Sequence, residues 1–84
     1  MDRLELRGRL QEANSKYDEL NTLASADVSL ANRLLEPFAK YIEEDLTRLE
    51  MAKITAIVTR LNGTIDGMIE QKRIIGRLKE ELGE

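Results

Sequence analysis

An apolar seam runs from Met51 through Ile54, Val58, Leu61, Ile65, Met68, Ile75 and Leu82 without losing phase. Steps of three, four and seven residues place all eight side chains on one face of an α-helix, because 3.6 residues complete a turn. A seam of this length has to be covered, so the chain is expected to work by packing its helices against something. The eight residues are accordingly its candidate interface.

The first segment repeats in the same way. Leu6, Leu10, Ala13, Tyr17, Leu20 and Ala24 alternate steps of four and three, which predicts a helix over about residues 3–24 despite Gly8. Continuing the register would put Asp27 on the seam, so the pattern is expected to end there. Ser25, Ala26 and Asp27 then form a connection at about 25–27, with a serine or aspartate oxygen available to cap the next helix, and the chain is expected to reverse at this point. Val28 to Leu35 reads as a short helix of about 28–35. Pro37 lacks an N–H and disfavours the helical basin at Glu36, so a kink or fresh start is expected there. A long helix of about 37–82 follows, opening on the stripe Phe38, Ile42, Leu46 and Leu49 and widened later by Ile57, Ile69 and Leu78.

Asn62-Gly63-Thr64 is the ambiguous point of that long helix. Asn-Gly is a turn signal and Thr64 could cap a new helix, yet the seam passes from Leu61 to Ile65 undisturbed. Continuity is favoured, at a propensity cost of about 2 kcal/mol that burial of the Ile and Leu seam can offset. A helix over 37–82 would be about 69 Å long and the 3–24 arm only about 33 Å, so one arm cannot cover the other. The expected fold is therefore all-α, a helical hairpin with a long C-terminal helix and coiled-coil-like packing, in one domain over residues 1–84 that oligomerises to cover the remainder. A break near Gly63 would instead give three arms of similar length and a compact three-helix bundle.

Composition narrows the function. Charged residues make up 35% and aromatic residues 4% of the 84, as in long helices and coiled coils. There is no Cys and no His, which removes thiolate and imidazole chemistry, and no Ser has an identifiable base, so catalysis, a metal site and a cofactor are not expected. Glu43, Glu44 and Asp45 are consecutive and point about 100° apart on a helix, so they cannot converge on one ion. Gly63 and Gly67 fall on the outer face of the Met51 seam and form no phosphate-cradling loop. Met1 is followed by charged residues rather than an apolar leader, and no run of about 18 apolar residues occurs, so a cytoplasmic chain without a membrane partner is expected.

The net charge is −3, which argues against a constitutive phosphate-backbone binder. Lys72, Arg73, Arg77 and Lys79 nevertheless form a local basic group among acids and are the candidate residues for specificity or ligand contact. Arg73 and Arg77 share an outer face, whereas Lys72 and Lys79 occupy seam positions, where a lysine usually fixes register or partner number at some cost in stability. The expected function is non-enzymatic protein–protein association through amphipathic helix faces, as in an assembly factor, chaperone, inhibitor or adaptor. Its expected partners are further copies of the chain or another helical protein. A nucleic-acid-binding helical dimer using the C-terminal basic cluster is the alternative.

Overall fold

A computed structural model describes residues 2–36 and 51–84. Its two elements are α1, Arg3–Leu35, and α2, Met51–Leu82. They pack side by side in opposite directions, as Leu6 near the start of α1 meets Leu78 and Leu82 at the end of α2 while Asp27 meets Arg60. The fold is an all-α helical hairpin.

The ends of the helices follow from local chemistry. Asp2 is extended and its carboxylate accepts the Glu5 backbone N–H at 2.9 Å, while its carbonyl accepts the Leu6 N–H at 3.1 Å, so α1 starts on an aspartate N-cap. At the far end of α2, Gly83 takes a φ of 77°, a left-handed conformation that glycine adopts without steric cost. The Gly83 N–H then bonds the Glu80 carbonyl at 3.1 Å and the Glu84 N–H bonds the Lys79 carbonyl at 2.8 Å, which closes the helix in a Schellman motif. Before Pro37, Glu36 keeps helical dihedrals (φ −52°, ψ −43°) because its N–H remains bonded to the Asn32 carbonyl; the preference of a pre-proline residue for extended backbone yields to that last turn.

Helix α1 corrects the expected boundaries. Residues 25–27 are neither a connection nor a reversal, and the helices expected over 3–24 and 28–35 are one helix of 33 residues. The heptad simply continues. Asp27, Ala31 and Leu34 extend the sequence of Leu6, Leu10, Ala13, Tyr17, Leu20 and Ala24 in the same alternation of three and four, and all nine are buried or half-buried. The expected shortage of cover shrinks accordingly. At 1.5 Å per residue α1 is about 50 Å long and α2, with 32 residues, is about 48 Å. The kink expected at Pro37, the Phe38 to Leu49 stripe and the acidic run at 43–45 lie outside the described residues.

Helix α2 is continuous through Asn62-Gly63-Thr64, as the unbroken seam predicted. Thr64 caps nothing; its hydroxyl donates to the Arg60 carbonyl one turn back at 3.1 Å, which satisfies a half-buried oxygen without interrupting the helix. A Cβ added at Gly63 would meet nothing within 4 Å. Gly67 differs. It faces α1 rather than the outside, and an added Cβ would lie 3.2 Å from Leu20 Cδ1, so its lack of a side chain brings the helices together at that level.

The packed core is narrow. Leu6, Leu78 and Leu82 are buried together with Leu10 and Ile74 against them, and Ala13 and Ile57 are buried further along. Gly63→Ala is expected to raise stability by about 0.5–1 kcal/mol, since the helical backbone accepts alanine and the space is open. Leu78→Ala is expected to lower it by about 2–4 kcal/mol. Urea denaturation of both variants measures these changes, and a loss of stability in Gly63→Ala would contradict a helix at that position.

Candidate functional site

The contact face of α2 is offset from the seam expected from sequence. Its inward residues are Ile54, Ile57, Leu61, Thr64, Met68, Gln71, Ile75, Leu78 and Leu82, all buried or half-buried. This is also a heptad pattern, and it shares every seventh residue, namely Ile54, Leu61, Met68, Ile75 and Leu82, with the expected one. The two phases differ in the intervening column. Met51, Val58, Ile65, Lys72 and Lys79 do not face α1 but line the edge of the helix, and all five are exposed.

The physical reason for the offset lies in what each phase would bury. The expected phase encloses two ammonium groups against α1, whereas the observed one encloses neutral Gln71 and apolar Leu78 at those levels, with Ile57 and neutral Thr64 in the rest of that column. Among the described residues, no buried side-chain nitrogen or oxygen lacks a hydrogen bond. Lys72 is thereby an edge residue, with its Nζ 5.9 Å from the centre of the Tyr17 ring, at the outer range of a cation–π contact. Arg73 donates to Glu70 at 2.7 Å on the exposed surface. Arg77 lies on the opposite edge, with Arg9, Lys16 and Glu81 along a shallow groove between the helices. The four cations of the expected basic group therefore do not converge.

Among the described residues the one buried charge is Asp27, 6% exposed and on the α1 seam. Arg60 grips it in a bidentate fork. Nε donates to Oδ1 at 3.1 Å and to Oδ2 at 3.0 Å, and Nη2 donates to Oδ1 at 2.6 Å. The Arg60 side chain remains largely exposed, so its aliphatic stem reaches across the edge while its planar head meets the carboxylate. Hydrogen bonds from Arg60 hold the Asp27 carboxyl below its ordinary value; desolvation opposes this, and the charge of Arg60 adds to the lowering. The same bonds raise Arg60, with the charge of Asp27 assisting and desolvation opposing. Neither residue was singled out as a site from the sequence. The signal for Asp27 in the sequence is the heptad phase, which places its carboxylate on the α1 seam.

The two edges of the hairpin differ. With the α1 seam lettered a for Leu10, Tyr17, Ala24 and Ala31 and d for Leu6, Ala13, Leu20, Asp27 and Leu34, the groove bearing Arg9, Lys16, Ile74 and Glu81 runs between the g positions of both helices. The e positions must then line the other edge. There Val28 and Leu35 of α1 stand beside Met51, Val58 and Ile65 of α2, with Ile69 adjoining. These six apolar residues are between 39% and 58% exposed. The described polar residues among them are Asn21, Ser25, Asn32, Thr55 and Asn62, and none carries a charge. Charges return toward the free ends of the helices, at Asp18, Lys72, Arg7 and Lys79. On the g edge, by contrast, exposed Leu23 and Leu30 are interspersed with Lys16, Lys53 and Arg60.

No cluster of three or more potential metal-ligating side chains occurs among the described residues, and no described helix is long and apolar enough to cross a membrane. No known family model, curated protein or solved structure matches this chain.

Acid titration tests the ion pair. Because the folded carboxyl titrates below its unfolded value of about 3.9, its contribution is complete above that pH and is lost as pH falls through the folded value. Asp27→Asn is expected to lower the urea midpoint at neutral pH, and the gap from the wild type should narrow as the pH falls below about 4. Arg60→Ala should be destabilised at neutral pH because it leaves a buried carboxylate unpartnered. Equal midpoints for all three proteins at pH 7 would assign the pair no part in stability.

Proposed function

We propose that this chain is a non-enzymatic protein–protein interaction module that acts through the e edge of its helical hairpin. The observation that carries this reading is the charge-free apolar strip built jointly by Val28 and Leu35 of one helix and Met51, Val58, Ile65 and Ile69 of the other. Interface centres are depleted in charge, and an apolar patch rimmed by polar residues is the usual form of a docking surface. The packing pattern points the same way. A two-stranded coiled coil needs apolar residues only at a and d, whereas helices in a larger bundle add e or g, and α2 adds e over its first half.

The energetics also favour a partner. A two-helix hairpin whose core rests on Leu6, Leu78, Leu82, Ala13 and Ile57 buries little apolar surface for its size, and covering the strip would add to that core. Asp27 and Arg60, the buried charge and its cation, are engaged with each other, so the pair supports register rather than reaction. Association could serve assembly, chaperoning, inhibition or adaptation alike.

Copurification of the untagged chain from its native host is the test, run with the wild type and with Ile65→Lys, which places a charge in the strip at an exposed edge position outside the inward column of α2. The wild type is expected to retain itself or another protein stoichiometrically and the variant to lose at least tenfold of that binding. Retention unaffected by Ile65→Lys would place association elsewhere. Oligonucleotide binding that falls steeply with salt would move the reading to the C-terminal basic residues.

A further inference from the structure

We propose that the occupant of the e edge is a second copy of this chain, docked antiparallel about a twofold axis that passes close to Val58, so that two hairpins form a four-helix bundle. The proposal rests on the reading of the e edge as a docking surface and adds its partner and geometry.

Three observations carry it. The first is area. The six apolar residues of the strip expose together roughly 500 Å² per copy, and with the neutral rim around them an interface approaches the roughly 800 Å² per partner of a stable standard-sized complex. The second is the absence of charge in the described part of the strip. In an isologous contact a residue near the axis meets its own copy, so any charge there would face its like; Val58 and its neighbours Asn62, Thr55 and Val28 avoid this. A heterologous partner imposes no such requirement.

The third observation is the order of residues along the edge, which selects the direction. Met51, Val58 and Ile65 recur every seven residues and are followed in the same column by Lys72 and Lys79. A twofold axis along the hairpin would stack each lysine beside its own copy. An axis perpendicular to the hairpin at Val58 places Met51 against the partner's Ile65 and carries Lys72 and its copy to opposite ends of the contact. The apolar residues overlap and the like charges separate.

The absence of native cysteine makes the geometry directly readable. Light scattering at tens of micromolar should give twice the 9.6 kDa chain mass. Val58→Cys should cross-link to a covalent dimer in most of the protein under mild oxidation, and Lys72→Cys should not. Val58→Lys and Val58→Glu should each keep the helical circular dichroism of the hairpin but sediment as monomers, and an equimolar mixture of the two should restore the dimer, a rescue that a merely misfolded variant could not give. A monomeric wild type overturns the proposal, as do dimers that survive both charged substitutions. Efficient cross-linking through Lys72→Cys but not Val58→Cys overturns the antiparallel arrangement. A monomer that still loses a captured protein on Ile65→Lys would remove the second copy while leaving the docking reading intact, whereas a monomer that captures nothing removes both.

Discussion

Asp27 occupies a seam position at which every neighbour in the heptad is apolar or small, and it stays there because Arg60 reaches it with a bidentate fork from the other helix. A carboxylate at that position without such a partner would be disfavoured by desolvation of its charge. With the partner in place, α1 carries its heptad through Ser25 to Asp27 and onward to Leu34, and the two described arms are nearly equal in length. The pair also locks the hairpin axially. A slide by one turn would leave the carboxylate opposite Thr64 or Ala56, neither of which carries a cation, so the alignment that joins Leu6 to Leu78 and Leu82 is the one that also satisfies Asp27.

The same alignment determines what remains on the outside. Helix α2 bears two overlapping apolar phases that share Ile54, Leu61, Met68, Ile75 and Leu82, and a single neighbour can cover only one of them. Helix α1 covers the phase containing Ile57 and Leu78. The other phase is left as an edge of Met51, Val58 and Ile65, extended across the hairpin by Val28 and Leu35. Its apolar part stops where Lys72 begins. An apolar surplus on one edge and a charged groove on the other give the hairpin two chemically distinct sides.

Much of this was legible in the sequence because helical periodicity is a local property. Steps of three and four fixed the all-α class, the continuity through Gly63 and the membership of Leu6, Leu10, Ala13, Tyr17 and Leu20 in a packed face. The misplaced connection at 25–27 arose from a sound local rule, since Ser and Asp favour helix caps and an aspartate interrupts an apolar pattern. What overruled it was Arg60, 33 residues away in sequence and without any local mark that distinguishes it from the other arginines. The assignment of Lys72 and Lys79 to the seam failed for a related reason. Periodicity identified the apolar stripe of α2 but could not say which of its two borders faces the neighbour.

The amino-acid sequence by itself therefore determined the all-α class, the continuity of α2 through Gly63 and the presence of more apolar surface than one partner helix can cover, because each depends on residues within a few positions of one another. Only the tertiary structure decided the alignment of the two helices, the burial of Asp27 and the choice of edge that is left apolar. Those depend on which charges and volumes meet across the hairpin. Burying Ile57 and Leu78 while keeping Lys72 and Lys79 in water is a balance of desolvation against packing that no single helix contains.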